Sequence, residues 1–314
     1  TTLRCVSVGG CNTALGTFAG RSLDSGSHNV MVGYDAGKSI TDATWNTAVG
    51  SWALRLNTGD DNTAVGGFAL TNNTTGIRNV AVGKSALRSN TTGVCNIAIG
   101  YKAMDAADGA SGLVAIGTCA LRTNTTGARN TAVGFFSMGV NTTGRNLTAL
   151  GANSLTKNTT GQANTALGTF ALCDNTAGNQ NVAVGMTALV NNITGNENVA
   201  VGYQALENNT AGCRNVAVGK RALEDNTTDS LTAVGTYALM KNTTGTSNVA
   251  VGYKALCANT VGDSNTAVGY CSLVSNTTGQ SNTALGGDAL RNNTTGNCNT
   301  AIGRFALCAN TSGK

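Results

Sequence analysis

Residues 79–100 read NVAVGKSALRSNTTGVCNIAIG, a stretch in which one unit closes and the same unit closes again. Asn79-Val80-Ala81-Val82-Gly83 returns 17 residues later as Asn96-Ile97-Ala98-Ile99-Gly100. Working outward in both directions, the closing glycine recurs at Gly16, Gly33, Gly50, Gly66, Gly83, Gly100, Gly117, Gly134, Gly151, Gly168, Gly185, Gly202, Gly219, Gly235, Gly252, Gly269, Gly286 and Gly303. Every step is 17 residues except those ending at Gly66 and Gly235, which are 16. A fixed period of this length is the mark of stacked supersecondary units. One repeat domain is therefore expected over residues 1–314, with an irregular N-terminal coil at 1–45.

Aligned on the glycine, the repeat resolves into columns. The residue before glycine is Val, Ile or Leu; two before stands Ala, except Met31; three before stands a β-branched residue such as Thr47 or Val80. Four before is Asn, for example Asn46, Asn130, Asn198 and Asn265, except at Leu113, Leu147 and Leu231. Three after is Ala or Ser, and four after is Leu or Met except at Gly20 and Gly37. In a solenoid each side chain stacks on its equivalent in the next coil, so such columns are what stacking requires.

The β-branched, Ala, aliphatic triplet reads as a short strand bounded by Asn and Gly turn chemistry. The second half of the coil, typified by Ala-Leu-x-x-Asn-Thr-Thr-Gly, predicts a brief second extended piece ending in a turn. The spacing excludes a helical hairpin, because 17 residues are too few and the apolar positions alternate. The fold class expected is all-β, a parallel β-solenoid of about eighteen coils. At about 4.8 Å per coil it would extend to about 85 Å.

Composition agrees. The chain has 42 Gly, no Pro, 4% aromatic and 11% charged residues, so a thin repetitive core of Ala, Val and Leu replaces a broad aromatic one. A net charge of +5, scattered along the sequence, lacks the clustering of a nucleic-acid footprint. No apolar run is long enough for a membrane span, and no membrane insertion is expected. The ten cysteines show no Cys-x-x-Cys spacing, which argues against zinc and favours an oxidising location.

The quoted motif, with Asn96 to Gly100, Asn299 to Gly303 and the Ala or Ser three residues later, resembles the β-roll repeats in the head domains of trimeric autotransporter adhesins. It is similar as well to repeats of viral and phage fibres. The resemblance covers residues 12–314. It implies a left-handed coil, a homotrimer, and an extracellular, virion-surface or cell-surface location.

Association is expected independently of that resemblance. With the strand's Ala turned to the coil interior, its flanking Val, Ile and Thr face outward, and a continuous apolar row of that kind marks an interface. The partners expected are copies of the chain, in a homotrimer or an end-to-end filament; the alternative is that Thr simply solvates the outer face. The final coil, Phe305 to Gly313, carries no capping helix or charged plug, so partner coils or further chain are expected to cover its edge.

Candidate sites fall on the turns and the cysteines. Seven residues after the glycine, intact Asn-x-Thr or Asn-x-Ser sequons stand at Asn73, Asn90, Asn124, Asn141, Asn158, Asn192, Asn226, Asn242, Asn276, Asn293 and Asn310. They are read either as glycan acceptors or as turn-capping amides in a ladder; Asn175, Asn209 and Asn259 keep the turn without the sequon. Cys5, Cys11, Cys298 and Cys308 are candidates for intermolecular disulfides. His28 is the one histidine, which leaves little material for general acid–base catalysis; no enzyme, metal site or cofactor is expected.

The function expected is that of a structural extracellular fibre or filament. The alternative is an adhesin-like glycan- or receptor-binding module, using the variable positions one, two and five after the glycine: Tyr34, Trp52, Phe68, Lys84, Phe136, Tyr203, Arg221 and Tyr253. An ice-binding face is the remote third reading. Thr74 and Thr75, or Thr91 and Thr92, are sequence neighbours that should point in opposite directions rather than line one plane.

Overall fold

A computed structural model describes residues 9–313. Among the described residues eighteen three-residue strands, all parallel, form a β-solenoid, and there is no helix. The chain divides into two compact units, the first ending at Thr160 and the second beginning at Gly161. The first holds nine strands, β1 (Thr13–Leu15) to β9 (Thr148–Leu150), and the second nine more, β10 (Thr165–Leu167) to β18 (Thr300–Ile302).

Within each unit successive strands pair in register, as in Val182↔Val199, Ala183↔Ala200 and Val184↔Val201. The central Ala is buried while its neighbours stay partly exposed. Period-two alternation over three residues thus puts one small side chain into a narrow interior and two branched ones on the outer face. The two short steps do not disturb this register: Thr47 pairs with Thr63, and Val216 with Thr232. The missing residue comes out of the turn, since Asn57 precedes Asn62 by five positions and Asn226 precedes Leu231 by five, against six from Asn73 to Asn79.

The closing glycine is dictated by its neighbour one coil on. Gly202 has φ +135°, and a Cβ there would lie 2.6 Å from the carbonyl oxygen of Gly219. Any side chain would wedge the coils apart, so the column admits nothing else.

The second half of the coil differs from the extended piece expected. It is a run of turns in which residues two and four after the glycine are left-handed, for example Arg221 at φ 55° and Leu223 at φ 52°. The left-handed residues aim alternate N–H groups at neighbouring coils: Arg221 N–H donates to Tyr203 O at 2.9 Å and Leu206 N–H to Ala222 O at 3.0 Å. The intervening Ala222 N–H closes back on Gly219 O at 3.3 Å. Left-handed backbone costs a non-glycine residue about 1–2 kcal/mol. Full burial of the Leu side chain, worth about 1.5–3 kcal/mol, together with its inter-coil hydrogen bond, offsets that cost.

The irregular early coils are irregular in packing rather than in backbone. Thr13 pairs with Val30 and Val30 with Thr47, as in later coils. The exceptions in the columns explain one another. Met31, where Ala is the rule, fills the space left by Gly20 and Gly37, where Leu is the rule. A Cβ on Gly20 would come within 2.9 Å of the Met31 sulfur, and one on Gly37 within 2.7 Å of Met31 Cγ. Core volume is conserved across three positions.

Candidate functional site

Two buried amide columns dominate the interior. In the column four before the glycine, Asn198 N–H and Nδ2 both donate to Asn181 Oδ1, at 3.0 and 3.1 Å, and Nδ2 also reaches Gly212 O of the next coil at 2.8 Å. Each such Asn therefore ties its coil to the one before and the one after. At Leu113, Leu147 and Leu231 the backbone N–H still donates to the preceding Asn Oδ1, at 3.0 Å in each case, which is why Leu is tolerated there.

The second column consists of the turn asparagines. Asn259 Nδ2 donates to Asn242 Oδ1 at 2.9 Å and to Gly262 O at 3.0 Å, while its Oδ1 accepts from Asn276 Nδ2 at 2.9 Å. Asn73, Asn90, Asn124, Asn141, Asn158, Asn192, Asn226, Asn242, Asn276 and Asn293 are all 0% exposed. That burial is what the amide-ladder reading of these ten requires. The nitrogen that would carry the sugar faces the interior, and at Asn73, Asn90, Asn141, Asn192, Asn242, Asn276 and Asn293 it donates to two acceptors. Attaching a glycan would break the ladder and expel the turn. Asn310 is half-buried and donates to Asn293 Oδ1 at 2.8 Å.

The threonine after the turn Asn is committed as well. Thr243, Thr260 and Thr277 hydroxyls donate to the carbonyl oxygens of Thr260, Thr277 and Thr294 at 3.0–3.1 Å. This third ladder accounts for the Thr of the Asn-Thr motif without a ligand.

Cys5 lies outside the described residues. Cys11 and Cys298 are exposed and Cys308 is half-buried, all three as free thiols. Cys257 has its thiol pushed above the usual range by burial. Its position, five after the glycine, places it beside the position two after the glycine on the next coil, where Cys271 stands. His28 stacks on Trp45 with ring centroids 4.1 Å apart. Among the described residues no group of three His, Cys, Asp or Glu could hold a metal ion, and no helix is long and apolar enough to cross a membrane.

Two surfaces remain uncommitted by these ladders. The outer strand face carries Val, Ile, Leu and Thr in two columns; Ile97, Ile99 and Ile116 are 39%, 38% and 38% exposed. The flank just after the glycine carries aromatic and cationic side chains. In the first unit Tyr34, Trp52 and Phe68 follow one another with centroids 6.5 and 5.5 Å apart, and Arg55 lies 4.2 Å over Trp52. Arg55 also meets the buried carboxylate of Asp35 at 3.4 Å, and Lys38 meets it at 3.3 Å. In the second unit Tyr237, Tyr253 and Tyr270 form a similar series, and Lys220, Arg221 and Lys254 lie within 5.3–5.9 Å of a tyrosine ring centroid.

Sequence reasoning picked Tyr203, Arg221 and Tyr253 from this flank but missed Lys220, Tyr237, Lys241 and Tyr270. The signal was present: Tyr253 and Tyr270 share one column, Tyr237 and Lys254 another. No protein-family model matches the chain, and no curated protein matches it.

Proposed function

We propose that this protein is structural, a repeat that builds an extracellular fibre or filament by lateral association with copies of itself. The outer strand face carries this reading. Within each unit it is a double column in which one row is Val, Ile or Leu at every coil and the other alternates Thr with Val and Ile, most of them partly exposed. An aligned apolar surface of this kind is what an interface between parallel copies would cover. The interior polar groups support the same reading, because they are spent in holding coil to coil. The location outside the cell or on a virion belongs to this proposal and is supported by the resemblance to adhesin and fibre repeats.

Sedimentation of the purified chain tests it. Oligomers are expected at micromolar concentration, and Val201→Lys with Val218→Lys, both on the outer face, should convert them to monomers with little change in thermal midpoint. A wild-type chain that stays monomeric at every concentration, or a lysine variant that still associates, would overturn the proposal.

A further inference from the structure

The second unit carries an open groove of about 440 Å³ lined by Arg221, Tyr237, Met240, Lys241, Tyr253 and Lys254, with Cys257 at its floor. It sits on the flank after the glycine, a different surface from the outer strand face, and does not depend on self-association. Successive coils build it: Tyr237 and Lys254 share the column two after the glycine, Tyr253 and Tyr270 the column one after. Stacking at about 4.8 Å brings these residues together although they are 17 apart in sequence.

Three properties converge. First, the aromatic surface is available: Tyr253 and Tyr270 are 40% and 59% exposed, stacked at 5.3 Å with planes 14° apart. Second, the charge is one-sided along the lining, which contains three cations and no carboxylate. Arg221 is held in place by Glu224, Nε to Oε2 at 2.6 Å, and this carboxylate raises the guanidinium further above its ordinary value. Lys220, Lys241 and Lys254 form no ion pair among the described residues, and Lys254 is held as a cation by contact with the Tyr253 hydroxyl. Asp225 stands one coil before Lys241 in the same column, and Glu207 one coil before Glu224, so the positive charge least offset by acids is that of Lys254. Third, the groove is open to solvent and lined from three successive coils, which suits a chain-like ligand better than an enclosed small molecule.

We infer that this groove binds a linear acidic polysaccharide. Sugar C–H groups would lie against the exposed part of the Tyr253 ring in the groove and of Tyr270 beside it one coil on, while carboxylate or sulfate groups meet Lys241, Lys254 and Arg221. Flat C–H faces on tyrosine and anions on flexible ammonium groups are complementary in both polarity and spacing.

The test is titration of the full chain with a heparin octasaccharide, a neutral dextran oligomer and an oligothymidylate of matched charge. Expected is saturable binding of the octasaccharide, weakened by salt, with the dextran and the oligothymidylate binding at least about tenfold more weakly. Lys241→Gln with Lys254→Gln should weaken binding by about tenfold or more, and Tyr253→Ala by a comparable factor. Lys84→Gln, a lysine of the first unit, should leave it unchanged. Equal binding of the oligothymidylate would reduce the effect to general polyanion attraction. Unchanged affinity in the double lysine variant or in Tyr253→Ala would place the contact elsewhere; no binding at all would end the proposal. Because sedimentation reads the oligomer separately, the failure of either idea is distinguishable from failure of the other.

Discussion

The two units are made of the same coil, yet their turn-asparagine columns differ. In the second unit the column runs from Asn175 to Asn310 with an asparagine at every coil. In the first it opens with Leu23 and Ile40, becomes asparagine at Asn57, Asn73 and Asn90, is interrupted by Ala107, and resumes at Asn124. The interruption leaves a mark: Asn90 Oδ1 is buried and accepts no hydrogen bond, because the coil above it offers a methyl group instead of an amide. Ladder continuity is thus a local property. A solenoid tolerates a missing rung because each coil answers only to its neighbours, and the cost falls on the one amide that faces the gap.

Breaking the ladder where it is continuous should have the largest effect. Asn259→Ala removes three side-chain hydrogen bonds and leaves Asn242 Oδ1 and Asn276 Nδ2 without their partner. A loss of about 3 kcal/mol is expected, read as faster hydrogen exchange of amides in the flanking coils. The same change at Asn90, whose oxygen is already unpaired, should cost about 1 kcal/mol less. Equal losses at the two sites would show that the gap at Ala107 is energetically irrelevant.

The core exchange at the start of the first unit gives the next comparison. Met31→Ala should cost about 2 kcal/mol through the cavity it opens. Adding Gly37→Leu restores the composition of a regular coil and should recover much of that loss. Gly37→Leu alone should destabilise, since its Cβ would already crowd Met31. Urea unfolding of the full chain provides the cycle, and strictly additive effects would refute the compensation. Filling the gap with Ala107→Asn should be worth about 1 kcal/mol in the other direction, by giving Asn90 Oδ1 a donor. The smallest effect is kinetic. Burial raises the Cys257 thiol pKa, so less thiolate is present at any given pH near 8 and alkylation should be slower than at exposed Cys298. Peptide mapping after brief alkylation at pH 8 reads the ratio.

Much of this architecture was legible beforehand because a solenoid repeats its physics at every coil. A position that must be glycine, alanine or asparagine is tested eighteen times along one chain, so Gly202, Ala200 and Asn198 announce their roles through their column mates. The Asn-Thr-Thr-Gly turn was harder. Its sequence satisfies a glycan sequon and an amide ladder equally, and only burial separates the two. The left-handed residues such as Leu223 and Arg221 were invisible because neither residue type favours that backbone; inter-coil hydrogen bonds and the packing of the leucine impose it.

Sequence alone determined the period, the parallel strand and its inward alanine, because these follow from local propensity and strict recurrence. Tertiary structure decided which way the turn amides face, how Met31 makes room for Gly20 and Gly37, and which tyrosines and lysines share a groove. Those outcomes depend on distances between residues one coil apart, and such distances exist only once the coils have stacked.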